Sequence, residues 1–288
     1  RNKGFEFNLG WNDRTANDIS YGVNLIGSFN TNEVIALGTG TQYFTGGTTF
    51  QNIYTSKTLT GYPIGSFWLI PTDGYFNSEE EVKTHSKDGQ LIQPNAKPGD
   101  IRFLDTDGNG SIDDNDRVYC GSQFPDFTFS VNGNIAYKNF DLSLSFQGVV
   151  GNKIYNATRQ TLELTTQGTN YLASTLDYWT PENLDASYPR LTLDDPNRNT
   201  RADSDRYLEN GSYLRLRSAQ LGYTFPTQWF KGVIQHARVY INAENLFTIT
   251  GYSGYSPDVN TDNATARGFD NFIYPNNRVF MLGLNVTF

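Results

Sequence analysis

From Phe280 to Phe288 the apolar residues Phe280, Leu282, Leu284, Val286 and Phe288 alternate with Met281, Gly283, Asn285 and Thr287. Period two places successive side chains on opposite faces, so the stretch predicts a strand with one greasy and one more polar side. The pattern recurs. Phe5, Phe7, Leu9 and Trp11 alternate with Glu6, Asn8 and Gly10. Tyr21, Val23, Leu25, Gly27 and Phe29 form another face, although Ile26 interrupts its polar side. Phe127, Phe129, Val131, Ile135 and Tyr137 alternate with Thr128, Ser130, Asn132, Asn134 and Ala136. Phe140, Leu142, Leu144 and Phe146 alternate with Asp141, Ser143, Ser145 and Gln147. Val239, Ile241, Ala243 and Phe247 make a further face, and between Tyr213 and Phe225 the phase slips from Leu216 to Ala219, which predicts a bulge.

Seven such strands, one of them ending the chain on an aromatic residue, read as an antiparallel transmembrane β-barrel segment. In such a segment one side of each strand meets lipid and the other meets the lumen. Phe280, Leu282, Leu284, Val286 and Phe288 then read as the assembly signal of a last barrel strand. That strand needs a partner on each side, because hydrocarbon leaves unpaired backbone groups unsatisfied.

The connections are unequal. Residues 12–18, 138–139 and 226–237 are short; 31–126, 150–212 and 248–277 are long. Short periplasmic turns and long outer loops are the asymmetry of outer-membrane barrels. With the carboxy terminus on the periplasmic side, all three long segments lie outside the cell, and 31–126 is expected to form an extracellular loop region without membrane-crossing strands. A soluble β-sandwich alternates in the same way and is the competing fold. Within the long segments, Ser78 and Glu81 have capping-box spacing and predict a short helix toward His85. Thr169 or Asn170 is expected to cap a helix over 171–179, ended by Pro181. Trp229, Phe230, Val233 and Ile234 predict a small interfacial helix.

Composition adds limits. With 20 Phe, 18 Tyr and 27 Gly among 288 residues, strands and tight turns are favoured over helices. Mean hydropathy is −0.52 and no long apolar run exists, so no transmembrane helix is expected. A net charge of −8 argues against nucleic acid as a partner, which demands clustered Lys and Arg. The lone Cys120 forms no internal disulfide. The chain opens at Arg1, without Met or a leader pattern, and residues 4–11 already read as a strand; it is therefore expected to begin inside a larger protein.

Catalytic sets are sparse. His85 and His236 are far apart, and there is no HExxH, GxSxG or phosphate-binding glycine loop. Glu79, Glu80 and Glu81 read as a helix first turn that complements the dipole. No enzyme activity is expected. The one strong chemical motif is Asp105, Asp107, Asn109, Gly110, Ser111, Asp113 and Asp116, at positions 1, 3, 5, 6, 7, 9 and 12 of an EF-hand-type loop. Alternate oxygens at this spacing wrap a hard cation, Gly110 permits the sharp turn, and Ser111 offers its carbonyl. Asp116 stands where such loops usually carry a bidentate Glu, and no helices flank the loop. A structural Ca²⁺ site is the expectation; an acidic, glycine-rich turn needing no metal is the plainer alternative. Tyr178, Trp179, Tyr188, Tyr252, Tyr255 and Tyr274 lie in the long segments and are expected mainly to pack them together. Asn132, Asn134, Ser143, Ser145 and Gln147 are expected to face the lumen.

A series of motifs runs in order along nearly the whole chain. Residues 99–116 read GDIRFLDTDGNGSIDDND, after Gln93, Pro94 and Asn95. Then come Phe146, Gln147 and Gly148; residues 151–156 (GNKIYN); 178–183 (YWTPEN); 212–216 (SYLRL); 245–248 (NLFT); 252–255 (YSGY); and the terminal strand. The series resembles the SusC/RagA family of TonB-dependent outer-membrane transporters of Bacteroidetes. The resemblance implies about seven C-terminal strands of a barrel of about 22, whose lumen holds a plug domain. It also implies import of oligosaccharides or peptides too large for porins, a SusD-like surface lipoprotein as lid, and a TonB complex acting through an N-terminal part that this chain lacks. The plug and the remaining strands of the same protein, and outer-membrane lipid, would be the other partners. The competing function is a secreted, calcium-stabilised β-sandwich that serves as a glycan-binding or adhesion module.

Overall fold

The computed structural model describes all residues except Phe50, Thr169, Gly232, Asn260, Thr261 and Asp262, and the side chain of Gln167. Seven long strands dominate it: β1 (Asn2–Arg14), β2 (Ile19–Asn32), β3 (Phe127–Tyr137), β4 (Phe140–Val150), β5 (Tyr213–Thr224), β6 (His236–Thr250) and β7 (Val279–Thr287). They form one antiparallel sheet whose spatial order is the chain order, with β1 and β7 at its edges. A meander of this kind puts three short turns at one end and three long connections at the other. The β3–β4 turn is two residues, with Lys138 at φ 53°.

Register decides which side chains share a face. Phe5 lies opposite Phe29, Leu9 opposite Leu25 and Trp11 opposite Val23. Leu25 continues to Val131, and Val131 to Phe146. Leu142 continues to Leu221, Leu221 to Ile241, and Ile241 to Leu282. The apolar positions of all seven strands therefore form one unbroken face. A one-residue slip would turn a strand's greasy side over. The register does shift at Leu216/Ser218, where the phase slip predicts a bulge, and the bulge restores the face beyond it.

That face is bare. Phe5 is 64% exposed, Trp11 66%, Phe280 71% and Leu282 76%. A sandwich needs a second sheet about 10 Å away to bury its inner faces. Among the described residues no sheet occupies that place: the remaining strands belong to small sheets of two to four strands. Hydrocarbon, rather than protein, is the cover this face fits. Gaps in it are filled by rings. Phe7 lies over Gly27 and Phe129 over Gly148, where an added Cβ would meet the ring at 2.4 and 2.1 Å. The opposite face is polar and tied across strands. Ser145 donates to Asn132 Oδ1 at 2.7 Å, Ser218 donates to Asn242 Oδ1 at 3.0 Å, and the Arg238–Asp141 pair passes over Gly222.

The buried apolar core lies almost wholly in the long connections. Phe67 and Leu69 come from the first, Tyr155, Ala157 and Tyr207 from the second, and Phe269 from the third; together they make one cluster. Tyr155 and Phe269 stack with centroids 5.5 Å apart. The short strands Tyr43–Thr48, Tyr54–Leu59, Ser66–Leu69 and Val118–Gly121 form a sheet of their own, and among the described residues no strand from 33–126 joins the seven-stranded sheet. Lys153–Asn156 pairs with both Leu208–Asn210 and Phe269–Asp270, tying the second connection to the third. The three long connections thus build one packed cap at one end of the sheet.

Helices are few. α1 (Glu79–Thr84) is capped by Ser78, which accepts from Glu81 N at 3.2 Å, and His85 ends it. The Glu81 carboxylate reaches Asn77 N rather than the Ser78 amide, a capping box displaced by one residue. α2 (Ala157–Leu162), capped by Asn156, has no sequence signal beyond its cap. The helix expected over 171–179 does not form. Only a 3₁₀ turn at Ala173–Leu176 is present, and the proposed cap at Thr169 lies outside the described residues. The chain instead extends so that Trp179 N donates to Tyr188 O at 2.8 Å and the buried indole covers Gly99. Burial of that ring outweighs the weak helical preference of the segment. The expected interfacial helix is likewise reduced to a 3₁₀ turn, Thr227–Phe230, with Trp229 exposed.

Because Tyr155 is fully buried and donates to Ala202 O at 2.6 Å, Tyr155→Ala should destabilise the cap by about 3–5 kcal/mol. Hydrogen exchange should speed up at Lys153–Asn156 and Leu208–Asn210 but not in β2–β4. Equal loss of protection in the long strands would contradict a cap with a core of its own.

Candidate functional site

The 105–116 loop is organised by its own carboxylates. Asp105 accepts from Asn109 N at 3.0 Å and from Gly110 N at 2.8 Å. Gly110 has φ 92°, a conformation side chains oppose, which is why glycine stands there. Asp116 is wholly buried; its two oxygens accept from Thr106 N and Asp113 N, both at 2.7 Å. Asp113 caps the 3₁₀ turn Asp114–Asp116. Carboxylate oxygens of Asp105, Asp107 and Asp116 all lie within 4.8 Å of one another. Ca²⁺ binds oxygens at 2.3–2.6 Å, so three atoms this close can surround one ion.

The structure therefore brings together positions 1, 3 and 12 of the expected set. The others are arranged differently. Asn109 turns its amide NH₂ toward Asp107 and Asp113, at 3.1 and 3.2 Å, and its oxygen accepts from Ser111 N and Oγ. Asn109 must rotate before its oxygen can serve a cation. Burial alone would raise the Asp105 pKa, but the amides of Gly110 and Asn109 outweigh it and hold this carboxyl below the usual range. One contributor carries no sequence signal: Lys87, from a strand pair preceding the loop, donates to the Gly108 carbonyl and sets a positive charge beside the acids.

The loop is locked to the cap by buried ion pairs. Arg117, next to Asp116, pairs with Asp203 at 3.0 Å, and Arg201 pairs with the same carboxylate at 2.6 Å. Burial raises the Asp203 pKa, but hydrogen bonds and charge from Arg201, then Arg117, bring it below its ordinary value. Arg190 holds the fully buried Asp100 at 2.7 Å, and Glu163 accepts from Arg159 at 2.8 Å and Arg206 at 3.2 Å. Arg117 and Asp203, Arg190 and Asp100, and Arg206 and Glu163 lie 86, 90 and 43 residues apart, so spacing along the chain does not reveal these pairs.

The remaining candidates separate clearly. His85 packs edge-on against Phe76 in the cap, and burial, then Arg102, lowers its pKa, keeping it neutral near pH 7. His236 is exposed at the start of β6. Burial pushes the Cys120 thiol up to about 11, so it stays protonated against Leu69 O. Of the loop aromatics, Trp179, Tyr188 and Tyr252 are buried and pack the cap, whereas Tyr255 and Tyr274 stand out in solvent.

Asp203→Ala should cost about 3–5 kcal/mol of cap stability, because it leaves the buried Arg201 without its carboxylate and takes from Arg117 one of its two, Asp114 remaining. The wild-type contribution of Asp203 and Asp105 carries a definite sign with pH. Both carboxyls have folded pKa values below their unfolded ones. Their stabilisation is therefore complete above about pH 4 and is lost as pH falls through the lower folded values. The opening of 105–117, taken from hydrogen exchange corrected for the intrinsic pH dependence of amide exchange, should stay flat down to that point and rise below it. A rise beginning near neutral pH would contradict the assignment.

No family model matches the chain. Relatives do. TonB-dependent receptor P3 of Formosa agariphila is 35% identical over 299 residues, covering all of this chain and 28% of the relative. TonB-dependent receptor SusC of Bacteroides thetaiotaomicron is 31% identical over 204 residues, 69% of this chain and 19% of that protein. The solved RagAB peptide transporter matches the whole fold with a TM-score of 0.76 at 23% identity, over 29% of its own chain. The chain thus spans a little over a quarter of the length of P3 and of the RagAB chain. In sequence and in fold it belongs with the SusC/RagA-type TonB-dependent receptors, as a β-barrel segment of one.

Proposed function

We propose that this chain is the carboxy-terminal barrel portion of an outer-membrane importer, energised by a TonB complex through an N-terminal part and closed by a SusD-like surface lipoprotein. The observation that carries this is the unbroken, exposed apolar face across all seven strands. Other strands of the same protein would complete the barrel at the β1 and β7 edges, and a plug would stand against the polar face. The cap of long connections would face outward, where it meets the lipoprotein and arriving cargo. Oligosaccharides or peptides are the cargo classes; the RagAB relative is described as a peptide transporter. The chain supplies wall and cap rather than catalysis. The residues Phe280, Leu282, Leu284, Val286 and Phe288 would serve as the assembly signal of the last strand.

The same reading gives the 105–116 loop a structural Ca²⁺, held by Asp105, Asp107 and Asp116 with Asn109 turned, the Ser111 carbonyl and Asp113 completing the set. Its support is the convergence of the three carboxylates. Bound there, the ion would stiffen the path into β3 without taking part in any reaction.

Two outcomes test these proposals. The intact receptor should fractionate with outer membranes and show heat-modifiable gel mobility, and Leu282→Arg should weaken its folding by roughly 2–4 kcal/mol, the cost of a cation on the lipid face. A receptor that is monodisperse without detergent would end the import reading. Calorimetric titration with Ca²⁺ should give saturable heat that Asp105→Asn and Asp107→Asn abolish, with a matching rise in wild-type thermal stability. No heat, and no stabilisation, would leave the loop a metal-free turn.

A further inference from the structure

The bulge on β5 gives the polar wall an uncommitted cation. Ser218 lies opposite Ser145 and Leu216 opposite Phe146, so Arg217 is the extra residue between them. Across the other ladder, Leu216 lies opposite Phe247 and Ser218 opposite Glu244. Asn245, at φ 52°, bends β6 at the same level. Bulges re-aim side chains. Here Arg217 is turned into a recess of about 490 Å³ on the polar face, together with Gln147 and Glu244.

Every other arginine of that face is spoken for. Arg14 pairs with Asp18, Arg238 with Asp141, and Arg215 with Asp258 while also donating to Thr248 Oγ1 at 2.9 Å. Among the described residues Arg217 has neither an ion pair nor a hydrogen bond, and the Gln147 amide has none either. Glu244 lines the same recess without reaching Arg217, and takes only a long contact of 3.5 Å from Asn242. Asp258 is occupied by Arg215, by Tyr213 at 3.1 Å and by Asn276 at 3.1 Å. The recess sits in the half of the sheet nearer the cap, where Asp258 and Asn276 from the last long connection form part of its wall.

We propose that Arg217 anchors an oxyanion subsite on the barrel wall, taking a carboxylate or sulfate group carried by the cargo. A planar guanidinium donates two parallel N–H groups to such an anion, and the Gln147 amide adds a third donor. The neighbouring Glu244 keeps the subsite weak enough for release. Its repulsion also turns away groups with a denser negative charge. The source of the anion rests on the import reading; the subsite itself does not.

The test uses phenylglyoxal, which modifies free guanidinium groups, on the intact receptor in detergent, with modification of Arg217 read by peptide mass spectrometry. Sodium methyl sulfate and sodium acetate, both monoanions, serve as probes against sodium chloride at matched ionic strength. Either oxyanion should slow modification of Arg217, about threefold when present at roughly twice its dissociation constant. Glu244→Gln should increase that protection. Equal rates in all three salts would overturn the proposal. So would an Arg217 that is unreactive in the intact receptor and becomes reactive when the plug is deleted, because the wall would then be paired with the plug. Protection of Arg217 in a receptor that fails to import would sink the import reading and leave the subsite standing.

Discussion

The absence of hydrogen-bonding solvent on one side of a sheet governs this structure. In hydrocarbon a backbone N–H or C=O has only another strand to bond with. The seven strands meet that condition by running long, pairing in chain order and joining through the shortest turns available at one end. The apolar face follows from the same constraint. Side chains that would be a liability in water are the correct surface against lipid, and rings laid over Gly27 and Gly148 keep that surface continuous.

Stabilisation in the cap is of another kind. It has a conventional core around Tyr155, Tyr207 and Phe269 that joins its three connections, and buried ion pairs that fix the first connection to the second. Buried pairs add little net stability against an apolar alternative, but losing one partner is costly. Their value here is positional. Asp203 joins the end of the acidic loop at Arg117 to the second connection, and Asp100 joins the segment after α1 to Arg190. The acidic loop is thus held as part of a rigid cap rather than as a free tether. A cation there would add local order to a scaffold already built.

Legibility in the sequence followed the range of the interaction. Strand alternation is local, so all seven strands, the unequal connections and the bulge at Leu216/Ser218 could be read from spacing. The acidic loop was legible because its pattern fits within twelve residues. What escaped was long-range. α2 is held by packing of Ala157 into the cluster of Phe67, Leu69 and Phe269, and the Arg117–Asp203 and Arg190–Asp100 pairs join residues 86 and 90 positions apart. The helix expected over 171–179 failed for the same reason. A local cap and a Pro stop argued for it, while the distant Gly99 surface claimed Trp179. In the acidic loop the sequence placed six ligands, whereas the fold drew three carboxylates together and turned Asn109 aside.

On this reading lipid covers the odd-numbered side of β3, and water or a plug would cover the even-numbered side. This arrangement is tested most directly by nitroxide labels placed one at a time at 128–135 of the intact receptor in bilayers, with relaxation by oxygen and by a polar nickel complex measured at each. Strict alternation is expected: oxygen collisions high at 129, 131, 133 and 135, and low at 128, 130, 132 and 134. Odd positions shielded from both reagents would mean that protein, rather than lipid, covers the apolar face.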